Sequence, residues 1–332
     1  MGSIVVLGGA GGVGKVAVEA LTLIDSVDEV VVTDARADAA EAVVAELGGG
    51  PGLRSASVDV TDTDALVDLL RGADVVLNCV GPFYRFGPPT LRAAIAAGVG
   101  YVDICDDLDA TRALLELDGE ARAAGVSALI GMGNSPGLAN IFVKLCAEDL
   151  LDEVRSAEIM HIHGGEPSEG AAVLKHRIHA MVNDVPLYVD GHFIAVRQLE
   201  ESGEPFIHTE EFPDLGPYPV YPYPHPETIT LPRAFPSLRT ATNLGVVYPL
   251  SYFQMTQDLV RVGMGSYDPI PVGDAEIAPV DMAVALLQQE RPRLIAEAGV
   301  TEPGGCLRVI VGGTKDGEEH RYICSLTSKG AG

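Results

Sequence analysis

The sequence predicts an α/β protein, with a doubly wound parallel sheet over residues 1–133 and a second, α+β domain over 134–332. Three observations carry that expectation. The chain has 332 residues, about twice the ~150 that serves as a prior for one domain. Its first 133 residues alternate short apolar runs with helix-like stretches that end at glycine. After Gly131 this rhythm gives way to one long strand and two hairpin signals.

In chain order, strands are expected at residues 4–7, 29–33, 53–58, 74–79, 101–104 and 126–130. These runs are largely continuous in apolar residues, as strands covered on both faces require. Helices are expected near 13–24, 36–47, 62–70, 88–97 and 109–124, with Thr61 or Asp62 opening the third. Gly72, Gly98 and Gly125 stop the later ones. Further on come a helix after Pro136, a strand at 154–163 and a helix at 171–182. Asp190-Gly191 and Asp316-Gly317 predict the turns of two hairpins, 186–190 with 192–196 and 307–312 with 319–326. Residues 205–236 hold nine of the 22 prolines, which predicts a polyproline-like loop or an arm.

Composition narrows the function classes. Forty-seven acidic against 22 basic residues give a net charge of −25, which opposes nucleic acid and anionic membrane surfaces. No apolar run reaches the ~18 residues that a membrane span needs. Met1-Gly2-Ser3 leads directly into Ile4-Val5-Val6-Leu7 without a basic leader, so a cytoplasmic location is expected. Five widely spaced cysteines without C-x-x-C predict reduced thiols, with neither a disulfide framework nor a zinc site.

The most informative motif follows the first strand. Gly9, Gly11 and Gly14 form G-x-G-x-x-G between a strand and a helix, with Gly12 and Val13 completing the loop. The first glycine is expected to allow the tight turn, the second the approach of a pyrophosphate, and the third close packing of the helix. Asp34, twenty residues after Gly14, ends the second strand and is placed to bond the adenosine ribose hydroxyls. That carboxylate favours NAD over NADP, whereas Arg36 could clamp a 2′-phosphate. Asp59, after the third strand, could reach the adenine edge. The glycine spacing differs from the G-x-G-x-G of methyltransferases, and no tyrosine begins a Y-x-x-x-K pair. The N-terminal domain therefore reads as a Rossmann dinucleotide-binding domain.

Several blocks resemble the saccharopine dehydrogenase-like reductases, and within them the lysine 6-dehydrogenases. They are Val5–Lys15, Val75–Phe83, Tyr101-Val102-Asp103, Gly131–Asn140 with Pro136-Gly137, Thr230-Leu231-Pro232-Arg233 with Phe235-Pro236, and Leu307–Gly317. The resemblance implies a Rossmann domain joined to a substrate-binding and dimerisation domain, hence a homodimer or higher homo-oligomer. It implies NAD(P)-linked oxidation of a lysine-like amine, or reduction of an imine, with an amino acid or imine as the small-molecule partner. It also implies helices following the last hairpin, where this sequence stops at Ser328-Lys329-Gly330-Ala331-Gly332.

Ligands of open parallel sheets lie at the carboxyl ends of the strands, so Asn78, Gly81 and Pro82 are expected to border the nicotinamide. Oxidising an amine requires a base. Candidates are Asp103, Asp106, Lys175, His176 and His179, the two histidines being i, i+3 neighbours on one helix. His161-x-His163 points two imidazoles to one face of a strand without an obvious third metal ligand. A substrate carboxylate calls for an arginine fork. The resemblance puts Arg233 first, with Arg177 second and Asn140 nearby. Three readings follow: an amine dehydrogenase using NAD, a saccharopine-type reductive condensation using NADP, and a non-catalytic dinucleotide-binding or redox-sensing protein.

Overall fold

The computed structural model describes residues 2–330, which divide into two compact units, Met1–Leu138 and Ala139–Gly332. In the first unit six strands alternate with six helices. The order is β1 (Gly2–Leu7), α1 (Gly12–Leu21), β2 (Val27–Asp34), α2 (Ala37–Glu46), β3 (Leu53–Ser57), α3 (Thr63–Leu70) and β4 (Val75–Asn78). Then come α4 (Phe83–Ala97), β5 (Gly100–Asp103), α5 (Leu108–Leu115), α6 (Asp118–Ala124) and β6 (Ala128–Leu129). The strands form one parallel sheet of order β3-β2-β1-β4-β5-β6, the doubly wound arrangement that was expected.

Both faces of this sheet are covered, which is why its inner strands read as unbroken apolar runs. Val5 and Leu7 join Val31 and Val76 in one core, while Val6 joins Val30 and Val32 in the other. Two helices differ from expectation. The helix placed at 88–97 begins at Phe83 and carries Pro88 and Pro89 inside it. Thr90 Oγ1 donates to the carbonyls of Phe86 and Gly87, satisfying oxygens near the prolines, which lack the N–H to bond preceding carbonyls. The stretch 109–124 is two helices, α5 and α6, joined at Glu116-Leu117.

The second unit contains α7 (Leu138–Leu145), β7 (Glu153–Gly164), α8 (Ala171–Val182), β8 (Val185–Val189), β9 (His192–Val196), β10 (His208–Phe212) and β11 (Gly216–Pro222). It continues with α9 (Glu227–Ala234), β12 (Thr240–Tyr248), α10 (Leu250–Arg261), β13 (Ile270–Val272), β14 (Ala275–Ile277), α11 (Pro279–Glu297), β15 (Gly304–Lys315) and β16 (Glu318–Lys329). Its main sheet runs β10-β11-β12-β7-β15-β16, with β8 and β9 attached through β12. β12 is parallel to β7 and the other pairs are antiparallel. Both predicted hairpins are present. Asp190 (φ 50°) with Gly191 (φ 82°), and Asp316 (φ 52°) with Gly317 (φ 82°), supply the two positive-φ residues of their turns.

The proline-rich stretch corrects an expectation, because residues 205–236 form β10, β11 and α9 rather than a polyproline loop. In β11 the alternate positions Pro217 and Pro219 face the same side, so their missing N–H groups cost nothing toward β10. Tyr218 and Val220 remain to bond β10, and the ladder with β12 begins only at Tyr221 and Pro222. Alternation also sorts β7. Met160 and Ile162 pack into a core with α8, α10 and α11, while Ala157 and Ile159 pack with α7 and α9. His161 and His163 therefore share the face of Ile159.

Candidate functional site

β1 ends at Leu7, and Gly8 turns the chain with φ 71°, so the positive-φ glycine precedes the three of the motif. Gly9 N–H donates to Thr33 O at 2.8 Å, tying the turn to β2. A Cβ on Gly14 would stand 2.1 Å from Gly8 O, so only glycine lets α1 start this close to the loop. Gly11 precedes α1 with no side-chain cap, and the first turn carries no acidic residue. Gly11, Gly12 and Val13 are exposed, and a Cβ on Gly12 would meet nothing within 4 Å. The opening amides of α1 thus face open space beside the point where strand order reverses between β1 and β4. A dinucleotide's pyrophosphate fits this cradle, since uncapped N–H groups and the helix dipole both favour an anion.

Asp34 closes β2 with its side chain 19% exposed, and its Oδ1 accepts from Arg36 N at 3.0 Å. Arg36 Nε lies 3.8 Å from that oxygen, and its side chain is largely in solvent. The carboxylate and the cation are thus neighbours at the strand end where the ribose hydroxyls would sit. Gly81 and Pro82 follow β4, with Pro82 exposed and opening α4. Asp59 is exposed and accepts from the N–H and hydroxyl of Thr61, which hold its carboxyl below the usual range and close a local turn.

Two candidates prove to be interior. Asn78 is fully buried, donates to Thr90 Oγ1 (2.9 Å) and Tyr101 Oη (3.0 Å), and accepts from Val80 N (3.0 Å). Asp103 is also fully buried and accepts from Tyr101 Oη (2.9 Å), Cys105 N (3.1 Å) and Gly131 N (2.7 Å). Burial pushes the Asp103 carboxyl up, against the pull of those three donors. With its polar atoms engaged internally, Asn78 supports the β4 loop instead of reaching a ribose or carboxamide. Asp103 joins the end of β5 to the chain after β6 and lacks the solvent face of a base. Tyr101→Phe should therefore destabilise this unit by about 1–3 kcal/mol, because it leaves Asn78 and Asp103 each short of a partner. Urea unfolding would measure the loss, while dinucleotide affinity should stay near wild type.

The other candidates scatter. Asp106 is exposed after β5. Lys175 pairs with Asp281 at 2.6 Å, and His179 is exposed beside Asn183 at 3.1 Å. Arg233 is exposed at the end of α9. Asn140 lies 3.4 Å from Thr230 Oγ1, linking α7 to α9. Arg177 is buried, but its fork is already filled by both oxygens of Glu169.

His176 belongs to a cluster that sequence reasoning did not assemble. His161 lies 5.2 Å, ring to ring, from both Tyr223 and His225, and Tyr223 is 6.4 Å from His176. His225 Nδ1 lies 3.4 Å from Oε2 of the fully buried Glu227. Burial, then the neighbouring histidines, hold the His161 imidazole well below its ordinary range. Burial and the charge of Arg177 bring His163 down to about 4. Beside them, Glu169 and Glu166 neutralise the buried Arg291 at 3.1 and 2.9 Å, and Tyr252 Oη donates to Glu169 at 3.1 Å. Among the described residues no group of three or more His, Cys, Asp or Glu is arranged to hold a metal ion. No helix there is long and apolar enough to cross a membrane. The sequence singled out His161 and His176 separately, whereas Tyr223, His225 and Glu227 lie in the stretch read as a loop or an arm.

Comparisons with known proteins agree with this geometry. Residues 4–129 match the family described as saccharopine dehydrogenase NADP binding domain. The carboxyaminopropylagmatine dehydrogenase of Synechocystis sp. is 24% identical over 329 residues, covering 96% of this chain and 79% of that protein. The carboxynorspermidine synthase of Vibrio cholerae is 25% identical over 342 residues, covering 93% and 78%. The structure of saccharopine dehydrogenase (L-Glu forming) from Saccharomyces cerevisiae superposes with a TM-score of 0.72 at 17% identity. It covers 99% of this chain and 86% of that one, a likeness of fold. The glycine cradle, the strand order and the relatives converge on an NAD(P)-binding oxidoreductase that is similar to the saccharopine dehydrogenases.

Proposed function

We propose that the protein oxidises a carbon–nitrogen bond in an amine that carries a carboxylate, or runs the reverse reduction of the imine. The observation that carries this reading is the uncapped, exposed opening of α1 with Gly14 packed on Gly8. When bound there, the dinucleotide supplies a hydride acceptor or donor. The relatives' names supply the substrate class, because carboxyaminopropylagmatine and carboxynorspermidine are both carboxylated polyamines. A lysine-like amine, which the sequence resemblance implies, has the same pair of groups.

The chain's own residues divide the work. The amides of Gly12 and Val13 hold the pyrophosphate, Asp34 grips the ribose, and Gly81-Pro82 flanks the ring. Of the five candidate bases, His176 has the best support, being the one inside the imidazole cluster. Arg233, exposed and at the end of α9, is the candidate for the substrate carboxylate. The five free cysteines suit a reducing compartment such as the cytoplasm, and residues 139–332 are the candidate dimerisation unit. Absorbance at 340 nm with NAD or NADP, across lysine, agmatine-derived and polyamine-derived carboxylates, tests the activity. Tight dinucleotide binding without turnover on any of them would instead favour a binding or sensing protein.

Coenzyme choice is the second point. The Asp34 carboxylate opposes a 2′-phosphate, so NAD is the preferred partner, while the exposed Arg36 supports an NADP-linked reductive condensation as the alternative. Asp34→Ala should lower NAD affinity about tenfold and raise NADP affinity by a similar factor, each worth ~1.4 kcal/mol. Equal NAD and NADP affinities in both proteins would count against the assignment of Asp34.

A further inference from the structure

We infer that His161, Tyr223 and His225, backed by Glu227, form a binding site for a protonated amine, to which the His161 ring nitrogen offers an acceptor. This deepens the reading above and rests on it for the amine class, while the binding claim stands on the second unit alone. Four segments converge: β7 brings His161, the chain after β11 brings Tyr223 and His225, α9 brings Glu227, and β12 brings Asn243 beside the His161 ring. His161 and Tyr223 are half-buried, and His225 and Glu227 are buried. An aromatic face and a carboxyl group together recognise an organic cation, and an imidazole can accept a hydrogen bond from its N–H.

The placement of His161 is specific. It pairs in register with Gly245 of β12, and a Cβ there would stand 2.3 Å from its Cε1. The absent side chain is what allows the ring to lie flat against the neighbouring strand. Its Nε2 is buried and has no hydrogen-bond partner among the described residues, an arrangement that costs stability unless something binds it.

The test uses the intact chain without dinucleotide, with agmatine, norspermidine and lysine as probes in calorimetry. Wild type should bind at least one, and Glu227→Gln should weaken it about tenfold or more, as loss of a charged hydrogen bond does. The ring-nitrogen NMR signal of His161 should move on adding the amine, which a merely structural histidine would not show. Tyr223→Leu, a milder change, should weaken binding too if Glu227→Gln misfolds. No binding of any probe by wild type, unchanged affinity in both variants, or an unmoved His161 signal overturns the pocket. Dinucleotide affinity is measured in parallel. Its absence in wild type would sink the oxidoreductase reading while leaving the amine result standing.

Discussion

Gly14→Ala is expected to abolish useful dinucleotide binding and to destabilise the first unit. Its Cβ would meet Gly8 O at 2.1 Å, Gly8 C at 2.9 Å and Gly9 Cα at 2.9 Å. All three are backbone atoms, so no side chain can swing aside. The start of α1 must shift, and the amides that cradle the pyrophosphate shift with it. Overpacking of this kind costs ~1–3 kcal/mol, occasionally more. Affinity should fall by roughly a hundredfold, ~2.7 kcal/mol, or beyond detection. Gly12→Ala is the control. A Cβ there meets nothing within 4 Å, so it should leave thermal stability unchanged while still obstructing the ligand. Fluorescence titration of NADH and NADPH with parallel calorimetric melts would separate the two. A Gly14→Ala protein with wild-type affinity would show that the cradle is not the dinucleotide site.

Glu169→Ala should be the most damaging single change in the second unit. Glu169 holds Arg177 by both carboxylate oxygens, accepts from Arg291 Nη1 at 3.1 Å, and accepts from Tyr252 Oη at 3.1 Å. Arg177 and Arg291 are 2% and 1% exposed, so removing Glu169 strands the Arg177 guanidinium away from water and leaves Arg291 with Glu166 as its carboxylate partner. Breaking a buried pair by deleting one partner costs ~3–5 kcal/mol. For a unit of this size that lowers Tm by about 10 °C. Burial alone would raise the Glu169 carboxyl, but the Arg177 hydrogen bonds and the charges of Arg177 and Arg291 outweigh it and hold it low. A carboxyl held low contributes stability above the ordinary glutamate range and loses it as pH falls through the depressed value. Wild type should therefore lose stability on acidification, and Glu169→Gln should show a flatter acid limb. Melts from neutral to acidic pH would check both, and equal acid limbs in the two proteins would contradict the account.

Much of the first unit was legible because its signals are local. Alternating apolar runs and glycine stops follow from strands covered on both faces and from helices ended by left-handed residues such as Gly98 and Gly125. The dinucleotide loop was legible for the same reason, since Gly9, Gly11 and Gly14 act within one turn. Positions 83–89 were misread because Pro88 resembles a helix opener, whereas the helix tolerates it by satisfying nearby carbonyls through Thr90. Positions 205–236 were misread because proline content was counted without regard to parity. Pro217 and Pro219 are harmless in a strand that spends their side of the backbone on no ladder.

The site residues mark the boundary more sharply. Asn78 and Asp103 have the residue types and strand-end positions of a ligand site, yet both turn inward because Tyr101 and Thr90 offer partners that no local pattern reveals. Tyr223, His225, Glu227 and His161 come from segments up to 66 positions apart, and they meet only because β12 lies parallel to β7.

The order of nearby residues determined where strands, helices and the glycine cradle form, since those depend on backbone preferences and burial within a few positions. Which polar side chains look inward and which remain open to a ligand was decided by tertiary pairing. A buried donor or acceptor takes whichever partner the packed sheet brings within reach, and that partner lies far along the chain.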